Sequence, residues 1–371
     1  MAAYTTIDDP SAHFQTLVYT GNGSNPRNLT NDGNSDLKPD WIWGKNRTDN
    51  GTDHILTNTT LGLNPPITDS LLSSNSTGGV NTPNPTYGYV SAMLTDGFTA
   101  VAGGTNGDNF NANSKEFVAW QWKANGGTTA TNTTGNGIDS VVQANTTAGF
   151  SIVTYTGNGT QSGQTVGHGL GAVPKMIISK DRTNSSNVVS WRVYHVGIGP
   201  TKYIELQSNA AQSTFNDWDD TAPTSSVYSV GGAGGYTPTN TNNALYVAYV
   251  FADVQGYSKF NKYVGNGNAD GPFVYTGFKP AFLMMKESSS AGGNWVIFDN
   301  KRDVDNVLIH RLHPNTTAGD NTSRNYIDFY SNGFKMRNTD ADHNQSGQTM
   351  IYMAVAENPF VTSTGIPTTA R

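Results

Sequence analysis

The side chains able to do chemistry in this sequence are few and scattered. Seven histidines stand at His13, His54, His168, His195, His310, His313 and His343. His310 and His313 are three apart, which joins them on one face of a helix but not of a strand, so the spacing gives no zinc pair. Asp217-Trp218-Asp219-Asp220 and Asp303-Val304-Asp305 carry oxygen ligands for calcium but no EF-hand or nonapeptide spacing, and polar turns are the simpler reading. Carboxylate pairs for glycoside hydrolysis leave no fixed spacing, and most of the 28 acidic residues fall in turn-like stretches. Gly231-Gly232-Ala233-Gly234-Gly235 lacks the lysine and the following helix of a phosphate loop. Aromatic chemistry is better represented. Trp41 and Trp43, like Trp120 and Trp122, are two residues apart, so each pair faces one side of its strand and could stack a sugar ring. The competing expectation is that these rings fill a sandwich core. No catalytic, cofactor-binding or metal-ligating residue is expected.

The elements that would position these groups repeat three times. Tyr19-Thr20-Gly21-Asn22-Gly23 returns as Tyr155-Thr156-Gly157-Asn158-Gly159 and as Tyr263-Val264-Gly265-Asn266-Gly267. Asn-Gly after a short apolar run predicts a tight hairpin that sets strand register. Each copy is followed by a proline that opens an apolar run ending in lysine: Pro39 to Lys45, Pro174 to Lys180 and Pro280 to Lys286. The third landmark is an apolar run with a central alanine: Phe117-Val118-Ala119-Trp120, Tyr246-Val247-Ala248-Tyr249 and Tyr352-Met353-Ala354-Val355. Trp191 and Trp295 also correspond, and His54 stands in their place in the first unit.

Short strands with turn signals between them, and no helical periodicity, predict an all-β chain of three tandem sandwiches, jelly-roll or concanavalin-like. The expected boundaries are an N-terminal arm at 1–13, sandwiches at 14–122, 150–260 and 261–360, a linker at 123–149 and a tail at 361–371. The linker is Thr/Asn/Gly-rich, which predicts that the first unit moves relative to the others. Residues 60–88, with Pro65, Pro66, Pro83 and Pro85, form a long irregular stretch expected to be a functional loop or an assembly contact. The arms lack apolar anchors and are expected to be ordered by neighbouring molecules.

Composition narrows the partners. In 371 residues with a net charge of −6 there is no basic cluster, so nucleic acid is not expected as a partner. With no cysteine, disulfides and thiolate metal sites are excluded. No secretory signal and no membrane-length apolar run is seen, so cytoplasmic synthesis without membrane insertion is expected. The Asn-x-Ser/Thr triplets at Asn58, Asn75, Asn132, Asn145 and Asn315 are then a product of composition.

Phe14 to Gly23, Pro39 to Arg47, Tyr246 to Tyr249 and the closing Ala354 to Phe360 together resemble a family of tailed-phage virion structural proteins, often labelled tail fibre. The resemblance covers nearly the whole chain. It implies a non-enzymatic virion protein with lectin-like domains and no cofactor. Its partners would be other virion proteins, copies of itself in a homo-oligomer, and host-surface polysaccharide. A capsid or tail decoration protein is the alternative, and a polysaccharide hydrolase a remoter one.

Overall fold

A computed structural model describes residues 3–63, 71–78, 86–104, 109–183 and 189–368. Pro65, Pro66, Pro83 and Pro85 of the long loop, and the last three residues of the tail, lie outside them. The described chain is all-β, with only a 3-10 turn at Pro10–Ala12 and one short helix at Ala341–Asn344.

The strands form three pairs of sheets, here called lobes. In the first, five strands in the order Phe14–Thr20, Glu116–Trp122, Trp41–Asn46, His54–Asn58 and Leu72–Ser73 cover a three-stranded sheet. That smaller sheet comprises Arg27–Leu29, Phe98–Val101 and Tyr89–Met93. In the second, an eight-stranded sheet centred on Pro174–Asp181, Leu245–Ala252 and Phe150–Thr156 covers Gly137–Ile138, Gln164–Gly167 and Val227–Val230. In the third, Ser258–Val264, Thr349–Pro359, Phe278–Glu287 and Trp295–Asp299 cover Phe273–Tyr275, Gly333–Met336 and Ile327–Tyr330. Each pair encloses its own apolar core, for example Leu17, Ile42, Phe98 and Ala119 in the first.

Strand side chains alternate between faces, so the residues between these core positions point out of the sandwich. In the large sheets they are apolar too. Trp41, Trp43, Trp120 and Trp122 join Ile152, Ile178, Tyr249 and Phe251 of the second lobe and Phe282, Met284 and Met353 of the third in a fourth core. Trp41 stacks on Tyr249 with ring centroids 4.2 Å apart, Trp122 meets Phe282 at 5.5 Å, and Phe251 meets Phe260 at 5.8 Å. The central strands of all three large sheets are therefore buried on both faces, and the lobes close a ring around this shared centre. A sheet buried on both faces reads as a continuous apolar run, as these strands do.

Several expectations are corrected. Residues 123–149 are not a free linker: Ala130–Asn132 and Ser140–Asn145 are strands of the second lobe's large sheet, the latter paired with Phe150–Thr156. Val142 faces the core while Val141 is exposed, so this strand, next to the sheet's edge, needs only one apolar face. The first lobe is not independently mobile, since the shared core and bonds such as Asn58 Nδ2 to Tyr249 Oη at 3.1 Å tie it to the second. The N-terminal arm is held within the molecule. Ile7 is buried in the central core, Tyr4 Oη donates to Gly277 O at 2.7 Å, and Asp8 accepts from Ser363 in the tail. In the third lobe Tyr263 lies opposite Met350, whereas Tyr19 and Tyr155 lie opposite Phe117 and Tyr246. The residue equivalent to Phe117 is thus Met350, two places before Tyr352.

Candidate binding surfaces

The Gly-Asn-Gly segments are not hairpin turns. Phe14–Thr20 pairs with Glu116–Trp122, while the strand after the motif, Arg27–Leu29, lies in the opposite sheet. The motif is a corner at which the chain changes sheets, and the same holds in the other two lobes. Each corner grips a buried asparagine far along the chain. The backbone N–H groups of Asn22, Asn158 and Asn266 donate to the Oδ1 atoms of Asn111, Asn240 and Asn344 at 3.2, 2.9 and 3.0 Å. The Nδ2 groups return bonds to Ser24 O, Thr160 O and Asn268 O at 2.7 to 2.8 Å. The motif tyrosines complete the clasp, donating to Phe110 O, Thr239 O and His343 O at 2.7, 2.7 and 2.6 Å.

Both glycines are required by this geometry. A Cβ on Gly21, Gly157 or Gly265 would meet a backbone oxygen at 2.0, 2.2 or 2.3 Å, and Gly23, Gly159 and Gly267 have φ of 69°, 77° and 64°. With its donors and acceptors turned inward, the corner is a structural clasp and not a ligand loop.

The four tryptophans paired on their strands cannot stack sugars, because all are buried. Nor do they fill their own sandwich; they fill the centre of the ring. Trp120 Nε1 donates at 3.0 Å to Asp299 Oδ2 of the third lobe, which also holds Arg302. Arg302 and Arg47 of the first lobe share Asp320, at 2.8 and 2.6 Å, so an ionic network crosses this seam.

Three buried lysines repeat around the ring. Lys45 Nζ donates to Thr52 O at 2.8 Å and to Thr317 O of the third lobe at 3.3 Å. Lys180 Nζ donates to Val189 O and to Thr77 O of the first lobe at 2.7 Å, and Lys286 Nζ to Glu287 O at 2.6 Å. Burial pushes all three amines down to about 8. Beside them, Trp191 Nε1 donates to Ser73 O of the first lobe at 2.9 Å, and Trp295 Nε1 to Glu205 O of the second at 2.8 Å. His54 occupies the same place in the first lobe, and burial holds its imidazole well below its usual range. The second lobe thus grips the first, the third the second, and the first the third.

The remaining sequence candidates are structural. Asp219 and Asp220 have φ of 47° and 46° in a turn. Asp303 accepts from Ile309 N, His310 N and His310 Nδ1 at 2.7 to 2.9 Å, organising its own loop. Asn75 and Asn315 accept from the backbone of His54 and Trp295 at 2.9 and 3.0 Å, and Asn58 is buried. Among the described residues, no group of three or more His, Cys, Asp or Glu could hold a metal ion, and no helix is long and apolar enough to cross a membrane.

Open space remains between the first and third lobes, in a polar cleft of about 340 Å³. Gln15, Thr16, Asp32, Asn34, Lys301 and Glu357 line it, and Lys301 bridges to Asp32 at 2.8 Å. The Thr16 hydroxyl is buried there without a protein partner. Such walls can hydrogen-bond a hydroxyl-rich ligand; the lining brings no histidine, and its carboxylates Asp32 and Glu357 are paired with Lys301 and Lys279 at 2.8 and 2.7 Å.

A family model described as a domain of unknown function (DUF7483) matches residues 9–359. No curated protein and no solved structure matches the chain significantly.

Proposed function

We propose one role for this chain, which belongs to the DUF7483 family of domains of unknown function: it is a non-enzymatic surface protein of a tailed-phage virion, fibre-like or receptor-binding, that recognises glycans of the host surface. The observation that carries this reading is the use of the interior. The repeated asparagines, lysines and tryptophans are committed to corners and seams, which leaves outward loops, outer sheet faces and the polar cleft for contact with other molecules. That division suits a rigid recognition body better than a catalyst, which needs reactive groups aimed into an accessible site. The virion context is supported by the sequence resemblance given above. A decoration role drew its support from arms held by neighbouring molecules, and that support falls away because the molecule holds its own N-terminal arm.

The test applies the intact chain to arrayed bacterial surface polysaccharides, with labelled antibody used to find it on particles. Retention on at least one glycan and label at a tail tip or fibre are expected. Silence across the array, with label spread over the head, would replace this reading by decoration.

A further inference from the structure

The three lobes allow a comparison inside one chain. Leu29 opposite Phe98, Val166 opposite Tyr228 and Val274 opposite Phe334 are equivalent core pairs of the three small sheets. The residues flanking the first member of each pair lie on the opposite face of the strand, which at Gly167 of the second lobe is covered by Asn132. They are Asn28 and Thr30 in the first lobe, Thr165 and Gly167 in the second, and Phe273 and Tyr275 in the third. The fold therefore does not need aromatic rings at these positions. In the third lobe it nevertheless exposes them, Phe273 at 46% and Tyr275 at 56%.

Tyr330, on the third strand of the same sheet, adds another ring 6.1 Å from Phe273. Gly333 lies between them in the pairing, opposite both Tyr275 and Tyr330, and a Cβ there would meet the Phe273 ring at 2.9 Å. The missing side chain lets the ring lie close over the sheet. Charges surround the rings in neutralised pairs: Lys335 with Asp270 at 2.7 Å, and Arg337 with Asp328 at 3.3 Å. Tyr330 Oη also donates to Asp328 at 2.9 Å.

We infer that this outer face is a stacking platform for a neutral polysaccharide chain, a deepening that rests on the glycan-binding role proposed above. A pyranose presents axial C–H groups to the electron-rich face of a ring and hydroxyls at its rim, where Asp328, Arg337 and Lys335 stand. The face is a sheet surface and not a concavity, so a ligand gains by touching several rings at once, which favours an extended polymer over a single sugar. Phe273 and Tyr275 are about 7 Å apart along their strand, on the order of one sugar residue. The paired charges leave no basic stripe for a polyanion such as nucleic acid.

The experiment is affinity electrophoresis of the full chain through gels containing a soluble β-glucan, a mannan, a galactomannan or heparin. The variants are Tyr275→Ser and the double change Phe273→Leu with Tyr275→Ser. Leucine keeps Gly333 covered while removing the ring, and Tyr275 is exposed, its hydroxyl meeting the Tyr4 hydroxyl at 3.4 Å. Retardation by at least one neutral polysaccharide, weakened tenfold or more in the double variant and unchanged in Asn28→Ala, is expected. Equal retardation of wild type and double variant would overturn the platform and leave the glycan-binding role standing. Retardation by heparin alone would overturn the platform's neutral ligand. An oligomer dissolved by Tyr275→Ser, without retardation in any gel, would assign the face to a second copy of the chain and overturn the platform. Silence of the wild type in these gels and on the array would remove both.

Discussion

Replacing Asn240 by alanine tests the clasp directly. The side chain makes three hydrogen bonds: it accepts from Asn158 N at 2.9 Å and donates to Asn158 Oδ1 and Thr160 O, both at 2.8 Å. A buried bond contributes about 1 kcal/mol net, and groups stripped of partners cost more, so the expected loss is about 3 kcal/mol. For a chain of this length, with an unfolding entropy of about 2 cal/mol/K per residue, that lowers the midpoint of a cooperative transition by about 4 °C. Thermal unfolding of the full chain, followed by circular dichroism, reads the shift. The structure supplies its own replicates in Asn111→Ala and Asn344→Ala, whose bonds to the corner repeat the pattern. Asn240→Asp keeps the acceptor but loses both donors and sets a carboxylate against two oxygens, so it should be at least as damaging at pH 7. A shift below about 1 °C in Asn240→Ala, or one confined to a single lobe, would refute the clasp.

Two further outcomes follow from the ring. Lys45, Lys180 and Lys286 titrate near 8 when folded against an ordinary 10.5, so the folded form binds fewer protons than the unfolded chain between these values. Stability should rise with pH across that window, before Tyr246, Tyr249 and Tyr352, which burial shifts upward, reverse the trend above pH 10. The urea midpoint is expected to increase from pH 7.5 to 9.5, and a fall would contradict the burial of the amines. All seven tryptophans are buried, so their fluorescence should be blue-shifted, resistant to acrylamide, and unmoved by any polysaccharide that binds. An emission maximum typical of exposed indole would contradict the shared core.

The threefold repetition, the strands and the all-β class were legible because they rest on patterns a few residues long. What was misread depends on distance or on packing between lobes. Gly-Asn-Gly resembles a hairpin locally, but its partners Asn111, Asn240 and Asn344 stand 89, 82 and 78 residues downstream. Nothing in the neighbourhood of Asn22 signals them. Alternation showed that Trp41 and Trp43 share a face, but whether that face meets water depends on two other lobes. The third alanine run was placed two residues late. A slip of two preserves the in-and-out order of a strand, so hydrophobic pattern cannot detect it. The segment around Ser140–Asn145 looks too polar for structure because a strand one place in from the sheet's edge shows only one apolar face. The outer aromatics of the third lobe were visible as letters, but their significance came only when the small sheets could be superposed by their core pairs.

The closed ring also changes how the molecule can diversify. Three identical subunits around an axis must carry every substitution three times, so a helpful change at one contact is repeated wherever it does harm. Here each position is written independently. Histidine can stand at 54 where the sister lobes keep Trp191 and Trp295, and aromatic rings can stand at 273 and 275 where the sisters keep asparagine, threonine and glycine. One lobe is free to acquire a specialised exterior while the other two preserve the frame that holds it.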